Sequence, residues 1–162
     1  MFLLAKLKYH LVSIIRMSGY KLLYGRRITF GKRVSFRKGF ALGVMGQGTI
    51  HIGDHVFFNH YCSLYAMQRI TIGEGTIFGE NVKVYDHNHQ YADGSKPIKA
   101  QGYTSAAITI GRHCWIGSNV VILKGVTIGD NCVIGAGCVI YQNIPDNMVV
   151  RHKQALMIDA KK

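Results

Sequence analysis

Proline is scarce in this chain, with two residues in 162, while glycine is plentiful at 19. Glycine in that amount, without collagen periodicity or low complexity, points to many regularly placed turns and away from fibrous or disordered classes. Acidic residues are also few, eight against 20 Lys and Arg, for a formal charge of +12. A positive field suits an anionic membrane, a polyphosphate ligand or nucleic acid, or serves solubility alone. The charge is spread along the chain and no recognition module is visible, so a nucleic-acid binder is not expected. Cys62, Cys114, Cys132 and Cys138 form no C-x-x-C pair, and their spacing reads as neither a zinc site nor a disulfide framework. No run of about 18 apolar residues is present, so no segment is expected to span a bilayer. Lys6, Lys8 and Arg16 interrupt the opening apolar stretch, and no small-residue cleavage site follows it. A cytoplasmic protein with reduced thiols, and one domain's worth of chain, is the expectation.

What the chain does have is a period of six. From Ile110 onward each six opens with an aliphatic residue, usually followed by Gly: Ile110-Gly111, Ile116-Gly117, Ile122-Leu123, Ile128-Gly129, Ile134-Gly135, Ile140-Tyr141. Ile52-Gly53, Phe58-Asn59, Leu64-Tyr65, Ile72-Gly73, Phe78-Gly79 and Val84-Tyr85 follow the same rule, and Ile28, Val34 and Phe40 form a fainter set. Six is not a helical period. It fits a short strand and a tight corner, with positions one and five facing the same way. Position five holds Thr76, Val82, Val120, Val126 and all four cysteines. Small and β-branched residues there, opposite large ones at position one, would fill a narrow coil, so the cysteines read as core filler.

These hexads resemble the hexapeptide-repeat transferases, whose coils are left-handed, with three strands and about 18 residues per turn. The resemblance covers roughly residues 28–145 and implies an all-β fold, a left-handed parallel β-helix. Residues 86–109 break the repeat as one long loop excursion; long loops on rigid scaffolds usually carry function. Residues 1–27 carry Leu4, Leu7, Leu11, Ile14 and Ile15 at helical spacing with Lys6, Lys8, Arg16 and Lys21. That predicts a basic amphipathic helix, which either caps the first coil or rests on an anionic membrane. Residues 146–162 read as a short basic tail, a stub helix or frayed.

The excursion opens Tyr85-Asp86-His87-Asn88-His89-Gln90. A histidine where a coil gives way to a loop is well placed as a general base near neutral pH. Spacing alone leaves His87 and His89 both open. Asn81-Val82-Lys83-Val84-Tyr85-x-x-x-His89 is similar to the segment ending in the catalytic His of maltose and galactoside O-acetyltransferases, though Gln90 replaces the usual Pro. That resemblance implies His89 as catalytic base and Asn59 as a contact to the acceptor hydroxyl. The structural alternative for Asn59 is a corner residue, because Asn tolerates left-handed backbone. Phe57, Asp86, His87 and Asn88 are then expected to bind substrate, with Asp86 able to orient an imidazole.

Trp115-Ile116-Gly117-Ser118 resembles the family's pantetheine channel, and the outward position of the only Trp invites a ligand or a subunit. The resemblance implies that Trp115, Gly117, Ser118, Gly135 and Ala136 line the arm of acetyl-CoA. Gln142 stands where relatives often carry Lys for the CoA phosphates, and the usual Gly-x-Pro-Ala tail is absent, so Arg151 and its neighbours are the candidate phosphate ligands.

The resemblance therefore implies transfer of acetyl from acetyl-CoA to a sugar or glycan hydroxyl by direct attack. The enzyme would be a homotrimer whose sites lie between chains, in the cytoplasm or peripheral at the inner face of the membrane, with no metal. Two other readings are a non-catalytic hexapeptide trimer scaffold and a zinc-dependent lyase similar to γ-carbonic anhydrases, built from His55, His60 and His87 or His89.

Overall fold

The computed structural model describes residues 2–153, with side chains described at Tyr9 and from Leu11 onward. Its body is a left-handed parallel β-helix of about six turns, capped by one N-terminal helix. Each turn visits three flat faces. Ile28–Phe30, Thr49–Ile52, Arg69–Ile72, Ile108–Ile110 and Thr127–Ile128 stack as the first face. The second is Ser35–Phe36, Phe57–Phe58, Ile77–Phe78, Trp115–Ile116, Val133–Ile134 and Val149–Val150. The third is Ala41–Val44, Ser63–Ala66, Lys83–Tyr85, Val121–Ile122 and Val139–Ile140. All pairings within the faces are parallel and in register, for example Trp115 beside Ile77 and Val133.

Both inward columns of the hexad are buried. Position one contributes Ile52, Phe58, Ile72, Phe78, Ile110, Ile116, Ile122, Ile128 and Ile134; position five contributes Val56, Thr76, Val82, Val120, Val126 and the four free cysteines. The thiols of Cys62, Cys114 and Cys132 donate to corner carbonyls of Gly79, Gly129 and Pro145 at 3.1, 3.1 and 3.0 Å. Core filler thus also satisfies its weak donor. Ile28, Val34 and Phe40 belong to the position-five column, because Ile28 pairs with Ile50 and Phe30 with Ile52. Their position-one partners are Phe30, Phe36 and Leu42. In the first coils aromatic rings fill the bore: Phe36 stacks on Phe40 at 4.5 Å, and Phe58 on Phe78 at 4.5 Å.

The corners use two different residues for two reasons. Position four takes left-handed backbone at every regular corner, with φ of 58° at His55, 62° at Tyr61, 58° at Asn81 and 81° at Gly125. Position two has ordinary φ but no room. A Cβ on Gly117 would lie 2.6 Å from the Ala136 amide nitrogen of the next coil. Glycine at position two is therefore a matter of close approach, and the left-handed strain falls two residues later.

The helix α1, Phe2–Tyr24, lies across the open end of the coil. Buried Ser13 accepts from the Phe36 amide at 3.0 Å, satisfying an edge donor that would otherwise be unpaired, and its single hydroxyl proton is shared between the Tyr9 carbonyl at 2.8 Å and the Phe36 carbonyl at 3.1 Å. Met17, Tyr20 and Tyr24 pack on the core beneath it. The inner side of α1 therefore covers the end of the coil. At the other end the coil runs past residue 145. Ile144 bridges Ile128, and Val149–Val150 pairs with Val133–Ile134. Residues 154–162 of the expected tail lie outside the described residues.

Candidate active site

The excursion begins after Tyr85 and ends before Ile108, whose strand pairs with Arg69–Ile72 and restores the ladder. Thr109 and its neighbour Ile108, expected in the loop, are coil. Inside the excursion His87–His89 and Tyr103–Ser105 form an antiparallel hairpin. A short 3-10 turn, Ile98–Ala100, lies between its arms. The tip is tied together: Asp93 Oδ1 accepts from the Ser95 amide at 3.0 Å, and the Gln101 amide group donates to the carbonyls of Asp93 and Lys96 at 2.9 Å each.

Asp86 anchors this hairpin. Its side chain is fully buried. Oδ1 accepts from the Met67 amide at 2.7 Å, and Oδ2 accepts from the amides of Gln68 and Arg69 at 2.7 and 2.8 Å. Oδ1 also meets His87 Nδ1 at 3.1 Å. The Asp86 carbonyl accepts from the Ala106 amide at 2.9 Å, so one residue pins both ends of the excursion to the coil. With the carboxylate filled by the chain itself, Asp86 acts through His87. It is removed from the set expected to touch substrate, and the imidazole that it orients is that of His87 and not that of His89.

His87 is mostly buried, its side chain 13% exposed, and its ring meets Tyr103 edge-on at 5.6 Å. His89 is exposed and lies against the same Tyr103 ring at 4.4 Å. Tyr103 therefore stands between two imidazoles, one fixed by a buried carboxylate and one free toward solvent. Tyr85, His87, Asn88, His89 and Tyr91 line an open cleft here. Burial pushes the Tyr85 hydroxyl above its ordinary value. A second depression that His89 also lines adds Gln90, Thr104 and Lys124. Tyr103 and Lys124 escaped the sequence reading: Tyr103 lies in a non-repeating segment, and Lys124 looks like any exposed hexad residue.

The remaining candidates cluster elsewhere. Phe57 is on the second face, where Arg37 sits 5.6 Å above its ring. Asn59 follows at the corner and folds its Oδ1 back to accept from the His60 amide at 3.0 Å. It does not take left-handed backbone, so the αL account of this Asn fails; Tyr61, two residues on, is the left-handed corner. Trp115 is exposed on the same face, two rungs from Phe57, between Ile77 and Val133. Gly117, Ser118, Gly135 and Ala136 stack along the corner beyond it. The amides of Gly117 and Gly135 are already spent on the ladder, donating to Ile134 and Val150 at 2.7 and 2.8 Å. Ser118 Oγ accepts from the Glu80 amide at 3.1 Å. Gln142 and Arg151 share a cleft at the end of the coil with Tyr141, Val150 and His152.

The candidate residues therefore fall into two groups, each a candidate half-site. His89, with its tyrosines, stands at the edge of the third face; Asn59, Phe57 and Trp115 belong to the second face and the corner beyond it. The histidines of the zinc reading do not converge. His60 pairs with Glu80 and His87 with Asp86, and no group of three or more His, Cys, Asp or Glu side chains suited to a metal ion occurs among the described residues.

A family pattern described as bacterial transferase hexapeptide, six repeats, matches residues 107–142. The chain is 32% identical over 127 residues to the putative lipopolysaccharide biosynthesis O-acetyl transferase WbbJ of Escherichia coli, covering 74% of this chain and 65% of that protein. It is 40% identical over 102 residues to the galactoside O-acetyltransferase of E. coli, covering 62% of this chain and 49% of that one. It thus spans less than two thirds of these relatives' length. In three dimensions it is similar to the hexapeptide-repeat acetyltransferase VCA0836 of Vibrio cholerae complexed with acetyl coenzyme A, at a TM-score of 0.69 and 29% identity, covering 84% of this chain and 70% of that one. Repeat and coil make the chain a hexapeptide-repeat protein, similar over the matched stretches to these transferases.

Proposed function

We propose that the protein is an acetyl-CoA-dependent O-acetyltransferase acting on a hydroxyl of a sugar or glycan precursor. The observation that carries the reading is the imidazole of His89, exposed at the mouth of a hairpin pinned to a rigid coil and held against Tyr103. The names of the relatives support the acetyl donor and the carbohydrate acceptor.

In the proposed step the acceptor hydroxyl attacks the thioester carbonyl while His89 takes its proton. The tetrahedral intermediate collapses, the carbon–sulfur bond breaks, and the coenzyme A sulfur leaves and recovers the proton from the imidazolium. No covalent enzyme intermediate is needed. Asn59 would bind the acceptor hydroxyl, with Phe57 and Asn88 beside it. Trp115, Gly117, Ser118, Gly135 and Ala136 would flank the pantetheine arm. Gln142 and Arg151, which share a cleft, would meet the phosphates; Arg151 suits them by its planar, permanently charged fork.

The two half-sites are united if the chain is a homotrimer, with His89 of one protomer facing Trp115 of its neighbour. The outward column of Ile77, Trp115 and Val149, exposed by 44, 55 and 60%, supports this arrangement, because such a column invites cover.

The test is acetyl transfer from acetyl-CoA to a panel of sugars, read as free thiol. Loss of the base in His89→Ala is expected to lower turnover by about 10²–10⁴-fold with an unchanged melting curve. A His89→Ala variant at full rate overturns the role of the base; a folded wild type inert toward every acceptor favours the scaffold.

A further inference from the structure

Helix α1 is apolar on two opposite sides. Ser13, Met17, Tyr20 and Tyr24 turn to the coil. Leu11, Ile15 and Leu22 fall on the opposite stripe at 3.6 residues per turn, exposed by 59, 64 and 90%. Ile14 and Leu23 widen that stripe, and Arg16 and Lys21 flank it. A helix that only caps a coil needs one apolar side. Among the described residues nothing covers the second side, and it looks away from the coil end.

The charge nearby has one sign. Lys6, Lys8, Arg16, Lys21, Arg26, Arg27, Lys32, Arg33, Arg37 and Lys38 precede the first acidic residue, Asp54. Two copies meeting through this end would set those cations against each other. A surface that is apolar below and anionic above answers both features at once. No helix among the described residues is long and apolar enough to cross a membrane, so such a contact lies in the plane of the interface.

We propose that the outer face of α1 is an interfacial surface that seats the first coil on an anionic lipid bilayer, Leu11, Ile15 and Leu22 entering the acyl boundary and the flanking cations meeting lipid headgroups. This surface is independent of the acetyl-transfer reading, and its test uses no enzymatic readout.

The full chain is floated with vesicles of phosphatidylcholine alone and with vesicles containing about one third phosphatidylglycerol. Flotation is expected only with the anionic vesicles. Raising salt from about 0.1 M to about 1 M, which shortens the Debye length from about 10 to about 3 Å, should weaken it. Ile15→Gln with Leu22→Gln should lower partitioning about tenfold, with an unchanged melting curve. If that double variant fails to fold, Arg16→Glu with Lys21→Glu replaces it and should remove the preference for anionic lipid. Wild type that stays with neither vesicle, or floats equally with both, overturns the proposal. So does a variant that floats like wild type, or one that breaks a larger assembly in light scattering, which would assign the stripe to a second copy.

Discussion

Asp86→Asn is the substitution that tests the hairpin anchor most directly. The carboxylate accepts from three backbone amides and His87, two contacts at each oxygen. An amide side chain keeps one acceptor oxygen and places an NH2 where the other stood. With the NH2 at the Oδ2 position the Gln68 and Arg69 amides lose their acceptor; with it at the Oδ1 position the Met67 amide does, while His87 Nδ1 can take the tautomer that accepts, so at least one backbone donor is left facing a donor in a site with no solvent access. Each buried donor left unsatisfied costs about 1–3 kcal/mol, and the side chain takes the orientation that strands only one, so the substitution should cost about 1–3 kcal/mol. That is a large part of the roughly 5–15 kcal/mol that holds a domain together. Urea unfolding followed by far-ultraviolet circular dichroism should show a lower midpoint with an unchanged slope. Asp93→Asn, in the exposed tip of the same excursion, is the control: an amide oxygen can still accept from Ser95 and only the exposed Lys96 pair is lost, so the midpoint should fall far less. A loss below about 1 kcal/mol for Asp86→Asn would refute the anchor.

Other expectations follow from packing and burial. Gly73→Ala places a Cβ 2.6 Å from the carbonyl carbon of Gly111 and 2.7 Å from the Arg112 amide nitrogen. Backbone cannot swing aside as a side chain would, so a loss of about 1–3 kcal/mol is expected by thermal melting. Gly94→Ala, with nothing within 4 Å, should be tolerated. Burial pushes the Cys62 and Cys114 thiols above their ordinary value of 9.0. The folded state keeps these protons while the unfolded chain releases them, so stability should be full below that pH and fall as pH rises beyond it. Denaturation midpoints at mildly and strongly alkaline pH check this, and a midpoint that rises would contradict it. Tyr103→Leu removes the ring against His89 and should lower kcat about tenfold while leaving KM for acetyl-CoA unchanged; an equal rise in KM would place Tyr103 in donor binding instead.

The interior was legible because a coil repeats its demands. Ile110, Ile116 and Ile122 announce a column by recurrence alone, and the cysteines at position five join it. Recurrence did not separate the two reasons for a corner. Gly117 and Asn81 both look like turn residues in sequence, yet one answers a neighbouring backbone and the other a positive φ. It also misjudged phase where the signal thins: Ile28 and Val34 read as position one and stand at position five. The excursion has no period, so its hairpin, the role of Tyr103 and the capture of Asp86 by the Met67–Arg69 turn were invisible. Asp86 looked like an active-site acid because it adjoins two histidines; only its four contacts show a carboxylate with no capacity left. Asn59, His89 and Trp115 were grouped by likeness to other chains, and one chain alone does not bring them together.

The register across the excursion has a further consequence. Ile108, Thr109 and Ile110 stand beside Ile70, Thr71 and Ile72 as if the intervening stretch were not there. The scaffold feels only the points where that stretch leaves and returns, and Asp86 secures both. What lies between is an exchangeable part: hairpins of other lengths and chemistries, grafted behind the same aspartate, could redirect what the proposed site accepts without unthreading a single rung.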